Sequence, residues 1–358
     1  MMLASRDPVP ISRKDFDTMR RFVQVMWRLK RHPGYLAGLK DVLPPAAGIE
    51  PAAPSVLMGY DFHLTPEGPR LIEINNNAGG LYVGGDEQWL PQPDLPEFDL
   101  PGWDAPLPSR LARMFPPEWR CIAIMDEDVR NQFMYPEMCA YAELLRARGR
   151  AVFVVSPEEI AARDDGLYVG EARLDAIYNR HTDFYLESPT LAHVRAAYAR
   201  GQVQLNPHPR SYALLGDKRR MADWWREGGL DALLEPGEVD FIRRIVPECR
   251  LFRDMDEETL WRERKAWVFK PAARHGGKGV VLGKGMSRKR FMALDRSDTI
   301  VQRYVPPGSV ELNGRAFKLD VRLYAHGEKL IALAGRVWRG QVTNFREAGS
   351  GWVALEPR

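Results

Sequence analysis

Between Lys14 and about Leu39, Phe16, Met19, Phe22, Met26 and Leu29 recur every three or four positions with Arg and Lys between them, which predicts an amphipathic helix. Pro44, Pro45, Pro51 and Pro54 then mark a loop. Ser55 to Tyr60 and Arg70 to Ile74 read as strands, with Thr65-Pro66-Glu67-Gly68-Pro69 as a hairpin turn between them. From about Gly84 to Pro117 prolines are frequent and periodic runs are few, which predicts a long connection or an ordered lid. The texture then changes. Cys121 to Met125 is a short apolar run, Pro136 to Arg148 is helical and ended by Gly149, and Val152 to Val155 and Leu174 to Tyr178 are further apolar runs. Strand, helix and strand at this spacing predict a βαβ unit with a parallel sheet, so residues 118–215 read as one small α/β domain. From Asp217 onward a helix at Lys218 to Glu227 precedes strands at 266–270, 279–282, 299–304, 317–325 and 330–337, an antiparallel α+β lobe.

Composition narrows the function classes. Of 358 residues 45% are apolar and 28% charged, ordinary for a soluble globular protein with room for more than one domain. The net charge of +3 gives no reason to expect a nucleic-acid or membrane partner. The basic residues are uneven, however: Lys218, Arg219, Arg220, Lys265, Lys270, Arg274, Lys278, Lys284, Lys318 and Arg322 all fall in the C-terminal half. They suit a polyanion pocket or a solvated face. Cys121, Cys139 and Cys249 form no C-x-x-C pair and no even set, the start of the chain carries no signal-like apolar run, and no stretch of apolar residues is long enough to span a membrane. A cytoplasmic location is the expectation.

Two segments carry candidate chemistry. In Phe269-Lys270-Pro271-Ala272-Ala273-Arg274-His275-Gly276-Gly277-Lys278-Gly279-Val280 a strand ends in lysine and a glycine-rich turn follows. Glycines let backbone amides approach phosphate oxygens, and Lys270 and Lys278 add point charges. This is not a Walker A loop, which needs Ser or Thr after the lysine and a helix beyond; here Gly279 and a strand follow. The second segment is Glu73-Ile74-Asn75. Residues i and i+2 of a strand share a side, so Glu73 and Asn75 can present oxygens to one ion, and the hairpin can bring Asp61 beside them. Oxygen ligands of this kind suit Mg²⁺ shared with substrate phosphates. Each pattern alone also occurs on solvated hairpins. His63, His181, His208 and His275 have no metal-ligand spacing to one another.

Together these motifs resemble the ATP-grasp superfamily, over most of residues 14–83 and 118–358. In cyclic order the chain carries Leu205-Asn206-Pro207, Asp217-Lys218, Phe269-Lys270-Pro271, the 275–279 glycine loop and Val301-Gln302-Arg303-Tyr304-Val305. Lys318-Leu319-Asp320-Val321-Arg322, Arg336 and Thr343-Asn344-Phe345-Arg346 follow. The closing metal motif of the family is absent after Arg346 and is matched instead by Asp61 and Glu73-Ile74-Asn75 near the start, so the resemblance is to a circularly permuted member, similar to glutathione synthetase and other carboxylate–amine ligases. It implies α/β and α+β architecture: ATP-grasp lobes with a small Rossmann-like parallel-sheet domain. Residues 1–83 would be the permuted metal-bearing part, 84–117 the connection, 118–215 the substrate domain and 216–358 the nucleotide lobe.

The resemblance also implies roles. Lys218 and Lys270 would contact the phosphates of ATP; His275, Gly276, Gly277, Lys278 and Gly279 would close over them. The Gln302-Arg303-Tyr304-Val305 hinge would meet the adenine through the backbone of Arg303 and Val305, with Lys318 and Asp320 in the nucleotide site and Asp320 supporting the arginines. Asp61, Glu73 and Asn75 would hold Mg²⁺, with Mn²⁺ as an alternative ion. Arg322, Arg336 and Arg346 would stabilise the transferring phosphoryl group or a substrate carboxylate, and Asn344 would orient substrate or ligate metal. Arg180, after a strand of the parallel sheet, would hold a substrate carboxylate, and Asp126-Glu127-Asp128 would attract an amine. Gln302 and Arg303 stand where relatives often carry an acidic residue for adenine or ribose; Glu311 is a candidate for the ribose. The implied activity is ATP-dependent joining of a small-molecule or peptide carboxylate to an amine acceptor through an acyl phosphate, with phosphotransfer or nucleotide-binding regulation as alternatives. A homodimer is an open expectation.

Overall fold

The computed structural model describes residues 3–85, 88–98, 105–272, 279–341 and 350–358. Helix α1 (Arg13–Leu29) starts at Ser12, whose side chain accepts from the Asp15 amide and satisfies an otherwise orphan N–H. The single helix expected to Leu39 is broken after Leu29, because Pro33 cannot donate and clashes with the preceding turn. Helix α2 (Pro33–Leu39) restarts with that proline in its first turn, where no donor is needed. Strands β1 (Met58–Thr65) and β2 (Gly68–Asn75) form the expected hairpin, with β1 shifted towards the turn relative to the 55–60 expectation. The described parts of the proline-rich 84–117 stretch are packed rather than open. They contain a helix at Leu107–Arg113, and Leu90, Leu107, Leu111 and Phe115 are buried against Ile122 and Tyr178.

Strand β3 (Cys121–Met125), helix α3 (Tyr135–Arg146) and strands β4 (Ala151–Val155), β5 (Ala176–Asn179) and β6 (Gln204–Asn206) build a parallel sheet in the order β6-β5-β3-β4. Its fourth strand, β6, lies in the segment read only as Leu205-Asn206-Pro207. After helix α4 (Arg219–Trp225), strands β7 (Cys249–Leu251), β8 (Trp267–Pro271), β9 (Val281–Leu282) and β10 (Thr299–Arg303) form an antiparallel sheet in the order β7-β10-β8-β9.

Further along the chain come strands β11 (Gly308–Leu312), β12 (Arg315–His326), β13 (Lys329–Trp338) and β14 (Gly351–Val353). They pair with one another but make up only part of their sheet. The N-terminal hairpin joins them in the order β14-β13-β12-β1-β2, with β11 also on β12. The two ends meet again where Val9–Ile11 pairs in parallel with Leu355–Pro357.

Strand alternation gives this sheet two unlike faces. Tyr60, Phe62, Val321, Leu323, Leu333 and Val337 pack with Phe16, Met19, Phe22 and Met26 of α1. Phe22 meets Phe62 edge to face at 5.9 Å between ring centroids. The opposite face therefore presents the intervening residues: Asp61 and His63 on β1, Asp320 and Arg322 on β12, and Arg336 on β13.

Candidate functional site

The polar face of the six-stranded antiparallel sheet forms one wall of a cavity of about 450 Å³, and the four-stranded antiparallel sheet forms the facing wall. Glu73, Asn75, Asp320, Arg322 and Arg336 line the first; Lys270, Gln302, Arg303, Tyr304 and Val305 line the second. Arg180 and Asp126, at the carboxyl ends of strands of the parallel sheet, border its third side.

The register explains the polar wall. Asp61 is the cross-strand partner of Glu73 on β2 and of Arg322 on β12, and Asp320 is the partner of Arg336 on β13. Arg322 grips Asp61 with Nε at 2.5 Å from Oδ1 and Nη2 at 2.7 Å from Oδ2. Arg336 donates to Asp61 Oδ2 at 2.7 Å and to Asp320 at 2.7 and 2.8 Å. Burial pushes the Asp61 carboxyl up, but the charges and hydrogen bonds of Arg322 and Arg336 outweigh it and hold the pKa below the usual range. Asp320 has one arginine fewer; burial dominates and pushes it up to about 6. Arg322 and Arg336 thus stay charged in a buried network.

Asp61 is fully buried behind this network, and it is Glu73 and Asn75 that face the cavity. The Asn75 amide donates to Asp61 Oδ2 at 3.0 Å, which leaves its carbonyl oxygen as the available ligand. Burial raises the pKa of Glu73, but Lys218 and Lys270 overcome this and hold it low, so an ionised carboxylate faces the cavity. A carboxylate and an amide oxygen are the hard donors that Mg²⁺ takes. Asp61 could join them only by giving up a contact with Arg322 or Arg336. Among the described residues no group of three His, Cys, Asp or Glu is arranged to hold a metal.

On the facing wall, Trp267 and Phe269 turn into a separate apolar core while Val268 and Lys270 turn to the cavity. Lys270 donates to the Gln302 side-chain oxygen at 2.5 Å and to the Ile72 carbonyl at 3.0 Å, tying the two walls together. Burial lowers its pKa, and Glu73 opposes that. In the hinge, Tyr304 donates to the Ala266 carbonyl at 2.8 Å and Arg303 to the Glu248 carbonyl at 2.8 Å. The Arg303 guanidinium lies 4.0 Å from the Trp267 ring centre and ion-pairs with Glu248.

The Lys218 ammonium, at the start of α4, lies outside the cavity lining yet acts electrostatically on both Glu73 and Lys270. Lys318 is also outside the lining and donates to the Gly340 carbonyl at 2.5 Å. Glu311 sits on β11 away from the cavity. Gly279 adopts φ +79, beside Val280 in the lining. His275, Gly276, Gly277, Lys278, Asn344 and Arg346 lie outside the described residues.

Arg180 is committed to neighbours: its Nη1 donates to the Asn77 side chain, to the Ala78 carbonyl at 3.1 Å and to the Tyr178 hydroxyl at 3.2 Å. It clamps the loop after the Glu73-Ile74-Asn75 motif. Glu137 of α3 holds the same loop from beneath, accepting from the amides of Gly80 at 2.9 Å and Leu81 at 3.0 Å. Asp126 accepts from the Glu127 amide at 2.8 Å and makes no ion pair among the described residues. Burial pushes its pKa up to about 6, against the pull of Arg180.

Sequence reasoning did not find Glu137, His63 or Trp352 as parts of the site. Glu137 reads as an ordinary first-turn helix acid, and Trp352 stands beyond the last motif. His63 was weighed only as a metal ligand, yet its alternation with Asp61 was a usable signal.

This arrangement is the ATP-grasp fold implied by the sequence. The chain is similar in structure to a glutathione synthetase-like effector from Globodera pallida, at 11% identity and TM-score 0.59, over 97% of this chain and 88% of that one. It is also similar to a putative gamma-glutamylcysteine synthetase from Methylobacillus flagellatus KT, at 14% identity and TM-score 0.52, over 90% and 82% of the two chains. No family model and no curated protein matches at the level of sequence. No helix among the described residues is long and apolar enough to cross a membrane.

Proposed function

We propose that the chain is an ATP- and Mg²⁺-dependent ligase that activates a carboxylate as an acyl phosphate and joins it to an amine. One observation carries this reading: a single cavity has a buried lysine and a backbone hinge on one wall, and hard oxygen ligands with two buried arginines on the other. That pairing suits a triphosphate held along its length, and the structural neighbours named for glutathione synthetase and gamma-glutamylcysteine synthetase support a ligase. We infer further that the order of elements is circularly permuted, supported by a central sheet that needs strands from both ends of the chain.

Lys270 and Lys218 supply positive charge to the phosphates, and the hinge backbone of Arg303 and Val305 meets the adenine. Glu73 and Asn75 would hold Mg²⁺, which would neutralise phosphate charge as it develops. Arg322 and Arg336 point their charge at the transferring phosphoryl group. A substrate carboxylate oxygen attacks the γ-phosphorus and ADP leaves; the acceptor amine then attacks the acyl carbon, phosphate leaves and the amine loses a proton. Asp126 is the group placed to face that amine. Catalysis of this type is positioning plus charge stabilisation and needs no side-chain nucleophile.

The test is Glu73→Ala. It is expected to abolish Mg²⁺-dependent ADP formation while leaving the fold intact by circular dichroism. Amide product with one phosphate released per bond supports the ligase; a stable phosphorylated product instead would make the chain a phosphotransferase.

A further inference from the structure

His63 extends from β1 on the same face as Asp61, lines the cavity, and places its Nδ1 2.9 Å from the carbonyl oxygen of Val305. A carbonyl can only accept, so Nδ1 carries the proton and donates. This contact joins the strand of the metal-facing hairpin to the hinge, across 242 residues of chain.

The position matters because of what the hinge offers a base. In extended backbone a residue's N–H and C=O leave the strand on the same side, and neighbours alternate. Tyr304 faces Ala266, so Arg303 and Val305 face the other way. Among the described residues the Arg303 carbonyl and the Val305 N–H have no partner, while the Val305 carbonyl is taken by His63. The open hinge edge is therefore one acceptor followed by one donor. Adenine presents the complement, an amino donor followed by the N1 acceptor. Guanine presents O6 as an acceptor followed by N1–H and amino donors. It would meet the Arg303 carbonyl with like polarity. Moved along by one group, its O6 would suit the Val305 N–H, but its N1–H would then need the Val305 carbonyl.

We propose that His63 is a specificity-determining residue: by taking one lone pair of the Val305 carbonyl it disfavours the shifted register and biases the hinge towards adenine over guanine. This rests on the nucleotide reading of the cavity given above. It makes His63 a residue that discriminates against a wrong base rather than one that adds affinity for the right one.

The test measures Mg·ATP and Mg·GTP dissociation constants by calorimetry for the wild-type chain, His63→Ala and His63→Asn. Wild type is expected to prefer ATP. His63→Ala is expected to narrow the ATP:GTP ratio about tenfold, the scale of one buried hydrogen bond gained or lost. His63→Asn, whose amide can still donate to Val305, is expected to keep more of the preference than His63→Ala. An unchanged ratio in His63→Ala, or equal weakening of both nucleotides, would leave His63 a packing residue and overturn the proposal. The wild-type chain gives a check that needs no variant: 2-amino-ATP carries an added donor against an occupied carbonyl and is expected to bind no better than ATP. Tighter binding of 2-amino-ATP would mean that the carbonyl is open and would also overturn it. Failure of the wild type to bind any of these nucleotides would instead sink the nucleotide reading itself.

Discussion

The guanidinium of Arg336 bridges two carboxylates on different strands, donating to Asp61 Oδ2 at 2.7 Å and to Asp320 Oδ1 at 2.7 Å. Because Asp61 also holds Arg322, the four side chains form one buried ionic unit in which each charge is compensated only while the others are present.

Removing one member should therefore cost more than a surface pair would. Asp61→Asn leaves two buried guanidiniums short of charge and is expected to lower stability by about 3–5 kcal/mol, measured by urea unfolding. Glu73→Ala, on the cavity side, is expected to change it by less than about 1 kcal/mol. Similar losses in both variants would contradict the division between a buried Asp61 and a cavity-facing Glu73.

Lys270→Met keeps the aliphatic stem and removes the charge. It is expected to weaken Mg·ATP binding by about tenfold or more. Stability is expected to fall by about 1–3 kcal/mol, since the Gln302 side-chain oxygen and the Ile72 carbonyl lose their donor. Calorimetry and urea unfolding check the two parts separately.

Asp126 gives a pH signature. Its folded pKa of about 6 lies above the 3.8 of the free carboxyl, so the folded state binds protons more tightly than the unfolded state. The penalty is absent below the unfolded value, grows as pH rises between the two, and is complete above about 6. Asp126→Asn removes it and is expected to stabilise the chain by about 2 kcal/mol at pH 8 and by much less at pH 4. Equal effects at the two pH values would show that Asp126 is not strained by ionisation.

Gly80 marks where the loop after β2 passes against Trp352. An added Cβ would lie 1.9 Å from the indole, and the backbone there holds φ +109. Gly80→Ala is expected to destabilise by more than about 2 kcal/mol and to weaken nucleotide binding, because the displaced indole lines the cavity. Thermal unfolding and calorimetry read the two effects.

Much of the fold was legible because its signals are local. The periodicity of Phe16 to Leu29, the apolar run Cys121 to Met125 and the alternation around Lys270 all gave elements close to those observed. Pro33 carried the helix break in plain view, and reading the periodicity alone smoothed it over. Short edge strands such as β11 and β6 were missed because three to five residues carry too little pattern to separate them from loop. For the site, the i, i+2 spacing puts Glu73 and Asn75 on one side of the strand, and both line the cavity. It could not show that Asp61 has both oxygens taken by arginines more than 260 residues away, a fact of sheet register alone. Arg180 was legible as a strand-end residue, but its engagement with Asn77 and Ala78 belongs to a loop packing that no local pattern records.

The sheet built from both ends also sets an order of events during synthesis. Strands β1 and β2 emerge from the ribosome well before β12, the neighbour that pairs with β1 about 260 residues further along the chain. Until β12 arrives, the hairpin exposes an unpaired edge and an Asp61 with neither arginine to meet it. The parallel sheet between them can close first, so the cavity forms only after β12 and β13 have joined the hairpin. Chains stalled or cleaved before β13 should accumulate with a folded middle and an open hairpin edge, the kind of intermediate that chaperones bind.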